Sequence, residues 1–134
     1  MRFEMVVLDT NIMISLLKDE EKAREKIRSL ERSGERIATT AVTAYELLKG
    51  AQISSRSEEN LVKVRELISS LRVLGLSIGG CEQASKIYKE LRHRGKMIGE
   101  FDILIAAIVK TFDEKLVSKD IDFKAVSGLE VINW

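Results

Sequence analysis

The chain has 134 residues, 45% of them hydrophobic and 32% charged, with a formal net charge of +1. That length suits one domain with one core; the composition excludes collagenous and disordered classes, and the near-zero net charge leaves any polyanion binding to a local basic patch. A single cysteine, Cys81, and a single histidine, His93, exclude an intrachain disulfide and a zinc-ligand set.

Taken in chain order, Met5 to Leu8 is a short apolar run of the kind expected for a strand buried on both faces. Asn11 to Lys18 predicts a short helix, and Glu20 to Ser33 a second one stopped by Gly34. Arg36 to Thr39 predicts a second strand. Thr43 with Glu46 three residues later matches a capping box opening a helix to about Ala51 or Ile53. After the polar turn Ser54 to Ser57, Leu61, Val64, Leu67, Ile68 and Leu71 mark one face of a helix over 58–71. Arg72 to Leu76 predicts a third strand, Ser77 to Gly80 a turn, and Glu82 to Arg94 a helix closed by Gly95. Phe101 to Phe112 is the most apolar helix and is expected to be buried on most sides. Leu116-Val117 and Val131-Ile132 supply the last strands. Strands separated by helices throughout predict a three-layer α/β/α architecture around a parallel sheet, in a single domain over residues 1–134.

No stretch reaches the roughly 20 apolar residues that span a bilayer. Met1 to Leu8 lacks the length and flanks of a signal peptide, so a cytoplasmic protein is expected.

Four acids recur at one kind of position. Asp9 follows the first strand, Glu46 stands near a helix start, Asp102 opens the apolar helix, and Asp120 follows Leu116-Val117. Strand C-termini and helix N-termini share one edge of an open parallel sheet, which is where ligands bind. Carboxylates gathered there repel one another unless a cation lies between them, and an all-oxygen set suits Mg²⁺ or Mn²⁺. Each acid also has a local explanation. Asp9 and Asp120 would serve as caps, Glu46 as the partner of Thr43, and Asp102 as a first-turn carboxylate favoured by the helix dipole. Asp102 fits that explanation worst, since an unpaired charge heading an apolar helix is costly to bury.

The segments Leu8-Asp9-Thr10-Asn11, Tyr45-Glu46-Leu47, Phe101-Asp102-Ile103-Leu104-Ile105-Ala106-Ala107 and Ser118-Lys119-Asp120-Ile121-Asp122-Phe123 come in this order across the chain. Together they resemble the PIN-domain ribonucleases, and most nearly the VapC-type toxins of toxin-antitoxin pairs. The resemblance implies Asp9, Glu46, Asp102 and Asp120 as the catalytic acids, with Asp9 and Asp102 as direct ligands of Mg²⁺, or of Mn²⁺. Ser118 stands where the family more often has Thr, which keeps the hydroxyl; Asp122 is the alternative to Asp120 as the fourth acid. The implied partners are an RNA substrate, a small cognate antitoxin and a second copy of the chain in a homodimer. From another class, the alternative is an inactive PIN-like module that only binds a protein partner.

The chemistry agrees with that implication, because phosphodiester hydrolysis needs activated water, a charge sink and an orienting template, and a divalent ion supplies all three. Asn11 and Ser118 are placed to orient the acids. Arg92, His93, Arg94 and Lys96, with Lys49 and Lys119, are candidates for RNA phosphates, whereas Tyr45, Phe101 and Trp134 are too few for an extended base-stacking groove. Cys81 reads as core packing. No G-x-S-x-G, G-x-G-x-x-G or G-x-x-x-x-G-K-[ST] occurs, which leaves triad hydrolysis and nucleotide binding without support. Helices 43–53 and 58–71 carry more apolar positions than one side of a thin sheet absorbs, so an exposed patch suited to self-association is expected.

Overall fold

The structure, a computed structural model, describes residues 4–134; the first three residues of the Met1 to Leu8 segment lie outside the described residues. Its elements are β1 (Met5–Leu8), α1 (Thr10–Leu17), α2 (Glu21–Arg32), β2 (Arg36–Thr40), α3 (Ala41–Gln52), α4 (Ser57–Ser69), β3 (Arg72–Leu74), α5 (Ile78–Arg94), α6 (Glu100–Thr111), β4 (Lys115–Ser118), a 3₁₀ turn (Ile121–Ala125) and β5 (Glu130–Asn133). The strands form one sheet in the order β3-β2-β1-β4-β5, with every neighbouring pair parallel.

Side chains alternate across this sheet because successive strand residues point to opposite faces. Val7 and Leu116 face one core with Ala84, Ile87 and Leu91 of α5 and Ile105 and Ile108 of α6. Val6, Leu8 and Val117 face the other, with Ile12 and Met13 of α1, Leu47 and Ala51 of α3 and Val64 of α4. The expected three layers are therefore present. In α6, Ile103 and every residue from Ile105 to Val109 are buried, and each of its larger aliphatic side chains contributes roughly 1.5–3 kcal/mol by leaving water.

Two helix starts differ from the expectation. α3 begins at Ala41, where Thr40 caps it by accepting a hydrogen bond from the Thr43 backbone N–H at 3.1 Å. Thr43 is therefore inside the first turn and Glu46 lies in the second, too far along to close a capping box. α5 begins at Ile78, because the Ser77 hydroxyl accepts the Gly80 N–H at 3.0 Å. The Gly79-Gly80 pair read as a turn is the first turn of that helix, and Gly80 is small where a Cβ would come within 2.9 Å of Leu76 Cδ1. Gly34, at φ +84°, ends α2 as expected; its N–H reaches Glu31 and that of Glu35 reaches Leu30.

Two surface expectations are also corrected. Cys81 is exposed, since the inward face of α5 is the stripe Gly80, Ala84, Ile87 and Leu91. On α3 and α4, Leu47 and Val64 are buried, and Leu48, Leu61, Leu67, Ile68 and Leu71 pack half-buried against the second core. The apolar excess narrows to Tyr45, Ile53 and Val62, which are 53%, 82% and 52% exposed.

Candidate functional site

Parallel pairing puts all strand C-termini on one edge, and the chain runs outward from β1 to β2 and β3 before returning to β4 on the other side of β1. The ends of β1 and β4 therefore flank the reversal of strand order, the place where a crevice opens in such sheets. Asp9 follows β1 and Asp120 follows β4 by two residues.

Asp9 is buried, and its carboxylate is held from two sides. Oδ1 accepts the Ile12 backbone N–H at 2.9 Å, so Asp9 is also the N-cap of α1. Oδ2 accepts a short hydrogen bond from the buried Ser118 hydroxyl, and Ser118 Oγ in turn accepts the Asp120 N–H at 2.9 Å. Ser118 thus joins the ends of β1 and β4. Burial pushes the Asp9 carboxyl above its ordinary range; the Ser118 and Ile12 hydrogen bonds pull it back, Asp120 pushes it up and Lys119 opposes that.

Asp102 sits in the first turn of α6, half-buried, and accepts no hydrogen bond among the described residues. Burial is the largest cause that raises its pKa from 3.8 to about 6; the charges of Asp120, Glu46, Asp9 and Asp122, in decreasing order, add to it. Asp102 thus lies in the field of the other three predicted acids. Asp120 acts on both Asp9 and Asp102, whereas Asp122 is exposed and has the weakest of these effects on Asp102. Asp120 also accepts the Asp122 N–H at 2.9 Å and caps the 3₁₀ turn.

Glu46 is oriented by a hydroxyl series that the capping-box reading of Thr43 and Glu46 did not predict. Thr10 donates its hydroxyl proton to Glu46 Oε1 at 2.8 Å, lies 3.1 Å from Thr43 Oγ1, and Thr40 Oγ1 reaches Thr43 Oγ1 at 3.3 Å. Three hydroxyls in series therefore end on one carboxylate. Their signal in the sequence was slight: a threonine beside Asp9 and another that resembled a cap. Asn11, expected to orient an acid, is exposed and makes no side-chain hydrogen bond among the described residues.

The basic residues do not act as one cluster. Arg94 is tied to Glu90 at 3.2 Å and to the Ala125 carbonyl at 2.8 Å, and with Lys96 it lines a cleft of about 410 Å³ that includes Asp122. Arg92 and His93 face a different cleft with Tyr88 and Lys89. Successive residues at a helix end point about 100° apart, which is what divides them.

A family model described as the PIN domain matches residues 6–129. The chain belongs to the PIN-domain family. It is 31% identical over 129 residues to ribonuclease VapC2 of Haemophilus influenzae, covering 96% of each chain. It is 28% identical to the tRNA(fMet)-specific endonuclease VapC of Shigella flexneri, again over 96% of both. Among solved structures, VapBC2 of Rickettsia felis bound to a promoter DNA fragment superposes with a TM-score of 0.91 at 26% identity, covering 97% of this chain and 98% of that one. DNA-bound VapBC of Salmonella typhimurium gives 0.89 at 28% identity, covering 98% of both.

The donor chemistry of this PIN domain fits a hard divalent cation. Asp102 offers a carboxylate with no hydrogen-bond donor on it among the described residues; burial first, and then the charges of four other acids, resist its ionisation, and a dication would offset that repulsion. Among the described residues no group of three or more acids is placed so that it could hold a metal ion. Asp9, Glu46 and Asp120 are each held by Ser118, Thr10 or the Asp122 N–H instead. No helix of the described residues is long and apolar enough to cross a membrane.

Proposed function

We propose that this chain is a Mg²⁺-dependent ribonuclease, with Mn²⁺ as an alternative ion, and the toxin of a toxin-antitoxin pair. It would act in the cytoplasm as a single nuclease domain over residues 1–134. Asp102 carries the proposal: in a chain whose relatives include VapC ribonucleases, it is a half-buried carboxylate that accepts no hydrogen bond among the described residues and faces the charges of Asp120, Glu46, Asp9 and Asp122.

Asp9 and Asp102 would hold the ion directly, and Glu46 and Asp120 complete the acidic site. When bound, a dication supplies a Lewis acid that activates water and offsets charge on the phosphoryl oxygens. The protein's own residues do the positioning. Ser118 fixes Asp9 against the end of β4, and the Thr40, Thr43 and Thr10 hydroxyls hold Glu46 in one orientation, able to accept a proton from an attacking water. Asp120 stands close enough to share the charge load. This intact acid set favours catalysis over an inactive binding module.

The proposed partners are an RNA substrate, with a tRNA as the first to test, a small antitoxin of the kind found in VapBC complexes, and a second copy of the chain in a C₂ homodimer. The decisive experiment incubates purified protein with a tRNA pool in Mg²⁺, in chelator, and with Asp9→Asn or Asp102→Asn in Mg²⁺. Discrete cleavage by the wild-type chain in Mg²⁺ alone is expected. Cleavage that persists in chelator or in both variants refutes the reading.

A further inference from the structure

α3 and α6 each carry an aromatic-acid dipeptide, Tyr45-Glu46 and Phe101-Asp102. The charge of Glu46 reaches Asp102, and the two rings meet as well. Tyr45 and Phe101 pack edge to face with centroids 5.8 Å apart and planes at 84°. One turn on from Tyr45, Lys49 places its Nζ 5.3 Å from the Tyr45 centroid and 5.4 Å from that of Phe101. Neither ring is core: Tyr45 is 53% exposed and Phe101 37%. Lys49 is exposed and has no carboxylate partner among the described residues.

We infer that Tyr45, Phe101 and Lys49 form a nucleotide subsite that stacks one unpaired base of single-stranded RNA and holds an adjacent phosphate, next to the acidic edge. The inference rests on the ribonuclease reading for its substrate class. Three observations favour this occupant. An edge-to-face pair covers a face of one ring only and Lys49 takes one face of each, which leaves the second face of the other ring for stacking, and every base offers a π-face to such a platform. A polyanion approaching the acids needs positive charge beside them, and Lys49 supplies one that no carboxylate among the described residues neutralises. The rings also neighbour Glu46 and Asp102 on α3 and α6, about 100° around each helix axis, so a base held there lies to the side of those acids and the strand runs past it toward them. The sequence showed the three residues only as isolated members of two distant helices.

The test is fluorescence anisotropy of a labelled, mixed-sequence single-stranded oligoribonucleotide in chelator, where binding is read without cleavage, alongside the same backbone carrying abasic sites. The wild-type chain should bind the normal strand more tightly than the abasic one. Tyr45→Ala should weaken binding of the normal strand by about five-fold to a hundred-fold, the range for losing one stacked base, and leave abasic binding unchanged; Tyr45→Phe should bind like the wild type. Lys49→Gln should lower the slope of log affinity against log salt by about 0.7, one single-strand phosphate contact. Equal affinities for wild type, Tyr45→Ala and Phe101→Leu, or no measurable wild-type binding, overturn the inference. So does a Tyr45→Ala change in self-association by light scattering with RNA affinity unaltered, which assigns the rings to a protein contact. Cleavage in Mg²⁺ is scored separately, so a failed subsite and a failed ribonuclease reading are told apart.

Discussion

Replacing Asp102 by Asn should stabilise the metal-free protein at neutral pH, although it removes a proposed ligand. In the fold the Asp102 carboxyl titrates near 6, against 3.8 ordinarily. Between those values the folded state binds more protons than the unfolded one, so stability falls as pH rises through the window, and the full penalty stands above it. At about 1.36 kcal/mol per pKa unit the raw penalty is about 3 kcal/mol. Because the carboxylate is half-exposed, solvent screening reduces this to about 1–2 kcal/mol. With roughly 2.1 cal/mol/K of unfolding entropy per residue, the chain's 134 residues turn that into a rise in Tm of about 4–7 °C. Calorimetric melts in chelator should show the variant gaining this much at about pH 8 and almost nothing at about pH 2.5, below both values, where Asp102 is protonated in both states. Adding Mg²⁺ should close the gap by stabilising the wild type alone. A variant that melts lower than the wild type at pH 8, or a gain that does not vary with pH, refutes the electrostatic reasoning and makes Asp102 a structural residue.

Mg²⁺ or Mn²⁺ should raise the wild-type melting temperature by linkage, equivalent to about 2.7 kcal/mol at a hundred times Kd; titration calorimetry with Asp9→Asn should show that binding lost. Ser118→Ala removes both the hydroxyl donated to Asp9 and the acceptor of the Asp120 N–H, so chemical denaturation should report a loss of about 1–3 kcal/mol and cleavage should fall, with Ser118→Thr restoring most of both. Gly34→Ala puts a Cβ on a residue at φ +84° and should cost about 1 kcal/mol in the same assay without touching cleavage; an unchanged midpoint would show that the α2 terminus relaxes. Light scattering at micromolar concentration should give twice the 15.1 kDa chain mass; a strict monomer removes the homodimer and leaves the nuclease proposal standing.

The sequence by itself determined the order of strands and helices, the burial of α6 and the places of Asp9 and Asp120 just beyond the ends of β1 and β4. Those follow from local periodicity and from the rule that parallel strands share their C-terminal edge. Two helix starts were misread because a Ser/Thr-to-acid spacing and a Gly-Gly pair each have two meanings. Only the packed chain shows that Thr40, not Thr43, caps α3, and that Gly80 yields space to Leu76. The hydroxyl series ending on Glu46, the Ser118 bridge between β1 and β4, and the meeting of Tyr45 with Phe101 under Lys49 were settled by tertiary structure alone. Each joins residues tens of positions apart, and such contacts leave no periodicity in the chain. They arise only when the sheet fixes which helix lies beside which.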